Sequence, residues 1–217
     1  LVVRPAIVDF EQAVSDAQNI TTARLAADIR AYQDGDVAIV NEDDKITYST
    51  IDPAKQVIDF VSIKQTEDGN GAVAGSLDIK LANATSSGDP QPLDNVSAST
   101  LQGATDYINQ IVPPGIVTNV VSEPADAVDI TVEVFYNPQR GSANVSSDLE
   151  TAVDNYLRNL PFDGIYRKTR LVDAMQSVPG VVDIDTDAMN VVITGNSITA
   201  NDPVSHFFEA GYGQRNQ

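Results

Sequence analysis

Two carboxylates one residue apart, in the run Asp183-Ile184-Asp185, are the side chains here whose type and spacing come nearest to catalysis. Side chains alternate along a strand, so both would project from the same face. A pair placed in this way can hold Mg²⁺ for phosphoryl transfer. That is the metal half of a nucleotidyltransferase signature. The other half is a Gly-Ser pair a short way upstream, whose amides hold a triphosphate. Gly75-Ser76 and Gly141-Ser142 are both too far away to supply it. The preferred reading is that Asp183 and Asp185 form the wet face of an amphipathic edge strand, with Val182 and Ile184 inside. A metal-dependent nucleotidyltransferase using Asp183 and Asp185 stands as the alternative.

Other chemistry is thinner. His206 is the sole histidine, which removes any site built on two imidazoles, and no Gly-x-Ser-x-Gly elbow accompanies it. Asp34-Gly35-Asp36 and Glu67 to Gly71 fit turns better than the ligand order of a calcium loop. The chain has no Walker loop and no Gly-x-Gly-x-x-Gly. With no cysteine, thiol catalysis, Cys-ligated zinc, iron–sulfur clusters and disulfides are all excluded. The expectation is therefore no catalytic residue, no metal and no cofactor.

Charge says more. With 13 Lys+Arg against 31 Asp+Glu the net charge is -18, which argues against a general nucleic-acid binder. No apolar run approaches the length of a membrane span, and no signal peptide opens the chain. No Lys or Arg lies between Lys80 and Arg140, whereas Arg167, Lys168 and Arg170 crowd the entry to a helix. Cations there oppose the helix macrodipole. Folding alone does not explain them, and they are candidate contacts for an acidic neighbour.

The elements that position these residues follow from periodicity. Residues 1–34 read as helical, with Phe10, Val14 and Ala17 and then Leu25, Ile29 and Tyr32 at helical spacing and an N-cap at Thr21 or Thr22. Because the chain begins at Leu1 without Met, it reads as a piece of a longer helical arm. Val57–Thr66 and Val73–Ala82 read as a hairpin with Leu77, Ile79 and Leu81 on one face. Residues 83–97 read as a long surface loop. Leu101, Ala104, Ile108 and Ile111 mark a helix stopped by Pro113-Pro114-Gly115. Strands are expected at Ile116–Ser122 and Ile130–Tyr136, and residues 137–146 as a loop. Ser147-Asp148-Leu149-Glu150 reads as a capping box opening a helix, and Thr169 as the cap of the next. Val181–Thr186 and Asn190–Thr194 read as two last strands, and the tail after Asn201 as weakly patterned.

The class is α+β: an N-terminal helical arm followed by two small blocks of antiparallel strands packed with helices. The expected divisions are 1–56, the arm and a connector; 57–122, a β-β-α-β block; and 123–217, a β-α-α-β-β block with its tail. The core of the last block is expected to hold Ile130, Val132, Val134, Leu149, Val153, Leu157, Leu171, Met175, Val181 and Ile184.

Three runs carry a resemblance. They are Asp129 to Pro138, Tyr156-Leu157-Arg158-Asn159-Leu160-Pro161-Phe162-Asp163-Gly164, and Leu171 to Val182. Together they resemble the C-terminal part of a tail protein of phages and prophages of the Bacteroidetes, often called a nucleotidyltransferase. More broadly they are similar to the end of baseplate-J-like wedge proteins of contractile tails. Thr22 to Leu25, Tyr32 to Asp36 and Val57 to Gly69 extend the likeness to about residues 20–194. The matching residues are framework and turn positions, and the enzyme label finds no support in them.

What the resemblance implies is a structural subunit of a phage or phage-like tail baseplate. It would be a wedge component around a central hub, placed in the virion after assembly in the host cytoplasm, and not an enzyme. Its partners would be other copies of itself and neighbouring tail proteins, with no nucleic acid, membrane or small-molecule substrate. The partner contacts expected are Phe10, Val14, Leu25 and Ile29 on the arm and Arg167, Lys168 and Arg170. A carbohydrate-binding module is disfavoured, because aromatics make up 6% of the chain and there is no Trp to stack on a sugar.

Overall fold

The computed structural model describes residues 21–42, 45–68, 71–85 and 92–216. Phe10 and Val14 lie outside the described residues. Thr21 caps helix α1 (Thr22–Arg30), its hydroxyl accepting from the Arg24 amide at 3.2 Å. A short antiparallel pair follows, β1 (Ile39–Val40) and β2 (Ile46–Thr47). The expected hairpin is β3 (Phe60–Asp68) with β4 (Gly71–Ala84). The far end of β4 also pairs with β5 (Leu93–Asp94), through Asn83 with Asp94 and Ala84 with Leu93. The segment read as a long loop is thus partly strand. Ser97 caps helix α2 (Ala98–Ile111), and β6 (Val117–Val121) runs parallel to β4.

Alternation on β4 decides how this block packs. Ile79 and Leu81 face the helices and are fully buried among Leu25, Ile29, Ala104 and Ile108. Asp78 and Lys80 take the opposite face. Leu25 and Ile29, expected as partner contacts, are instead core residues of their own chain. The reason is geometric: α1 lies back against β3 and α2, so its apolar stripe is covered internally.

The second block opens with β7 (Asp126–Tyr136). Helix α3 (Ser142–Arg158) starts at Gly141, which holds φ at 80°, and not at the expected capping box. Ser147 sits inside the helix, where its carbonyl accepts from the Thr151 hydroxyl. Strand β8 (Ile165–Arg167) leads into α4 (Lys168–Gln176), with Arg167 and not Thr169 at the N-cap position and no side-chain cap.

The two final strands expected are one, β9 (Val181–Thr194). Its register against β7 jumps from Thr131–Asn190 to Glu133–Asp185. The Asp185 carboxylate accepts the amides of Asp187 and Ala188, each at 3.0 Å, and so holds the extra residues as a bulge. Beyond it Met189 returns to the core. Then come β10 (Thr199–Asn201), β11 (Ser205–Phe207) and β12 (Gly213–Arg215). The sheet order is β10-β9-β7-β12, antiparallel apart from β12, which runs parallel to β7; β11 pairs with β8.

The α+β class holds, and the weakly patterned tail is packed into the second block. Phe208 is 1% exposed and packs in one cluster with Val128, Tyr166, Leu171 and Ile193. Of the expected core, Val153, Leu157, Leu171, Met175 and Ile184 are buried, while Ile130, Val132, Val134, Leu149 and Val181 are half-buried against them. Val182, expected inside, is exposed, because the register shifts between Phe135 and Tyr136 leave it unpaired.

Replacing a buried phenylalanine by alanine removes its transfer energy and leaves a cavity. Phe208→Ala is therefore expected to cost about 3–5 kcal/mol, read as a lower urea midpoint. A solvent-exposed tail would show almost no change.

Candidate functional site

A cluster of polar side chains among the described residues joins the β3–β4 hairpin to the turn after α3. Pro161 ends the run after α3, and Phe162-Asp163-Gly164 turns the chain back. Asp163 sits at φ 58°, a left-handed conformation that Asp and Asn tolerate better than most residues. Its side chain is 3% exposed. One carboxylate oxygen accepts from the Ser62 hydroxyl and the Lys64 ammonium, both at 2.6 Å. The other accepts from Lys80 Nζ at 3.0 Å. Lys80 Nζ also donates to the Phe208 carbonyl at 2.9 Å. Ser62, Lys64 and Lys80 all stand on the β3–β4 face turned away from the helices, since Ser62 pairs with Lys80 across the ladder.

Burial pushes the Asp163 carboxyl up, but the bonds from Lys64, Ser62 and Lys80 outweigh it and hold the group below its ordinary value. Around this node Phe162 packs against Phe60 and Tyr212, with ring centroids 6.0 and 6.3 Å apart. The Asp163 amide donates to the Gly211 carbonyl at 2.6 Å. Gly211 holds φ at 90°, and a Cβ there would meet the Phe162 ring at 2.9 Å. A second buried carboxylate, Asp126, accepts the amides of Glu209 and Ala210 at 2.7 and 3.1 Å. Burial pushes its carboxyl up against those bonds. Both carboxylates therefore anchor backbone and neighbouring side chains across the junction.

The expected basic cluster divides. Lys168 donates to the Met189 carbonyl at 3.1 Å and to Asp202 at 2.6 Å, and so ties α4 to β9 and the turn after β10. Arg170 is well exposed, with only Asp173 near it, at 4.0 Å. The Arg167 backbone is held through the Tyr156 hydroxyl, and its guanidinium has no ion pair among the described residues. Arg167 and Arg170 are thus open to a partner, and Lys168 is committed inside the chain.

Asp183 and Asp185 do share a strand face, paired with Phe135 and Glu133 of β7. The Asp183 carboxylate accepts the Ile184 amide at 2.8 Å, and Asp185 holds the bulge. Both have work in the strand that needs no metal. His206 pairs with Tyr166 across the β8–β11 ladder, with its ring 6.3 Å from that of Phe208.

Sequence reading did not single out Asp163, Ser62 or Lys80. Two signals were present: an acidic residue inside the Pro161-Phe162-Asp163-Gly164 turn, and a lysine between apolar Ile79 and Leu81 in the hairpin strand.

No family model matches this chain, and no curated protein matches it. Among solved structures, it is similar to a chain of the anti-feeding prophage (AFP) baseplate. The two are 15% identical with a TM-score of 0.40, over 65% of this chain and 29% of the other. The chain therefore spans less than a third of that protein's length.

Removing one partner of a buried ion pair leaves the other charge uncompensated. Asp163→Asn suits the left-handed turn but removes the charge and one of the two acceptor oxygens, so a loss of about 3 kcal/mol is expected in urea unfolding. Its pH dependence has a fixed sign. The folded carboxyl titrates below the ordinary 3.8. Its contribution is therefore complete above that pH and disappears as pH falls through the folded value. The stability gap between wild type and Asp163→Asn should be widest near neutrality and close on acidification. A gap independent of pH would show that charge is not what holds the junction.

Proposed function

We propose that the chain is a structural subunit of a phage or phage-like tail baseplate. In this reading it is a wedge component that assembles by protein–protein contacts around a central hub, without catalysis. Two supports come from different levels. The runs around Asp129–Pro138, Tyr156–Gly164 and Leu171–Val182 resemble baseplate wedge proteins. The observation that carries the reading is the Asp163 node. A buried, fully hydrogen-bonded carboxylate clamps two small α+β blocks into one bracket, with Ser62 and Lys80 on one block and the 161–164 turn on the other. A bracket must hold its geometry under load, and a buried, fully hydrogen-bonded cluster is a way to fix one relative orientation.

The surfaces fit a protein that meets neighbours. A groove of about 400 Å³ opens between α3 and β7, lined by half-buried Ile130, Val132 and Val134. Large apolar side chains stand exposed at Val37, Val40, Phe135, Val182, Val204 and Phe207. The reading places the protein in the virion tail, with copies of itself and adjacent tail proteins as partners.

The test is native mass, measured alone and then after mixing with the products of neighbouring genes. Defined hetero-oligomers with adjacent tail-type proteins are expected. A chain that ignores every neighbour would overturn the reading. In parallel, Mg²⁺ or Mn²⁺ titration is expected to show no binding at millimolar metal. Binding abolished by Asp183→Ala would favour the nucleotidyltransferase instead.

A further inference from the structure

Two exposed patches of opposite charge, each built around large apolar side chains, lie on different sides of the second block. The first is the β8–β11 ladder with the start of α4. Ser205 stands opposite Arg167, and Phe207 opposite Ile165, so these four share one face. The other face carries Tyr166, which is fully buried. Phe207 is 51% exposed and Val204 75%. Lys64 Nζ lies 4.5 Å from the centre of the Phe207 ring, and Arg167 and Arg170 flank the ladder. On a chain of net charge -18, this sets Arg167, which has no ion pair among the described residues, and Arg170, with only Asp173 near it at 4.0 Å, beside exposed apolar surface, while Lys64 is paired with Asp163.

The second patch is the face of the β7–β9 ladder turned away from α3 and α4. Glu133 stands opposite Asp185 and Phe135 opposite Asp183. Phe135 is 51% exposed, and the bulged Val182 beside it 71%. None of Glu133, Asp183 and Asp185 has a cation within ion-pair distance among the described residues. Like charges directly opposite one another on a ladder destabilise it. Folding gains nothing from Glu133 facing Asp185, whereas a partner bringing cations would.

We infer that these two patches bind each other between copies of this chain, the basic Arg167–Arg170–Phe207 face of one copy seating on the acidic Glu133–Asp183–Phe135 face of the next. The occupant is a second copy because each patch supplies what the other lacks. Guanidinium groups meet carboxylates that have no cation within the chain's described residues, and exposed Phe207 meets exposed Phe135. The patches lie on different sides of the β7–β9 sheet, so one copy cannot satisfy both. The contact is heterologous, and repetition builds a ring where the rotation closes and a filament where it does not. The inference rests on one part of the baseplate reading, that copies of the chain are partners, and names the surfaces they use; its test needs only the purified chain.

The experiment is sedimentation velocity over a concentration series of the full chain and two charge-reversed variants, R167E/R170E and E133K/D183K. All four positions are exposed, and unchanged circular dichroism and melting confirm that each variant folds. Wild type is expected to self-associate beyond a dimer and to dissociate when salt is raised from about 0.05 to about 0.5 M, as screening predicts. Each variant alone is expected to sediment as a monomer, because its two patches now carry the same sign. An equimolar mixture of the two variants is expected to associate again, since each then meets an opposite charge. Three results would overturn the inference: a monomeric wild type, variants that associate as wild type does, or a mixture that stays monomeric. A monomeric wild type that still joins neighbouring tail proteins would refute this inference and the self-partner part of the baseplate reading, and leave its contacts with adjacent tail proteins standing.

Discussion

The carboxylate of Asp163 is the constraint on which the rest of the structure depends. A charge this deeply buried is tolerated only when its lone pairs are filled. Here three side chains from the β3–β4 hairpin fill them. Because one donor, Lys80, also holds the Phe208 carbonyl, the same contact fixes the C-terminal segment. The hairpin, the turn after α3 and the tail thus share one electrostatic centre. Phe60, Phe162 and Tyr212 pack on one another beside the buried carboxylate, while the Lys64 side chain stays half in solvent.

This arrangement explains an uneven use of charge. The chain has few cations, and several of them are used internally. Lys64 and Lys80 bind Asp163, Lys168 binds Asp202, and Arg215 on β12 reaches Asp154 on α3 at 2.9 Å. Arg167 and Arg170 are exceptions that face solvent. The acidic side chains are too numerous to be neutralised in the same way, and those of the β7–β9 outer face stand without cations. Such a surface keeps free subunits apart until a complementary surface meets it.

The C-terminal segment shows how weak periodicity can hide a structural role. Between Ser205 and Arg215 the chain adds a strand to β8, places Phe208 in the core, gives the Glu209 and Ala210 amides to Asp126, and adds a parallel strand to β7. None of these contacts is local. Each is short, so none leaves a repeat of apolar residues for a pattern search to find.

Local physics was legible in the residues themselves. The Thr21 cap, the β3–β4 hairpin with Ile79 and Leu81 on its inner face, the stop at Pro113-Pro114-Gly115 and the α3 stripe of Val153 and Leu157 all follow from spacing and caps, because their causes lie within a few residues. The exposed Arg167 and Arg170 were visible for the same reason: three cations close together on an acidic chain stand out in one dimension. What needed the tertiary structure was every feature whose cause lies far along the chain. Leu25 and Ile29 are core rather than contact because α1 folds back on its own sheet. Val181–Thr194 is one strand because β7 offers a partner on both sides of the Asp185 bulge. Asp163 is a clamp rather than a turn residue because Ser62, 101 positions upstream, and Lys80, 83 positions upstream, arrive from another block. An ion cluster of this kind is a property of chain crossing, and no window along a sequence contains it.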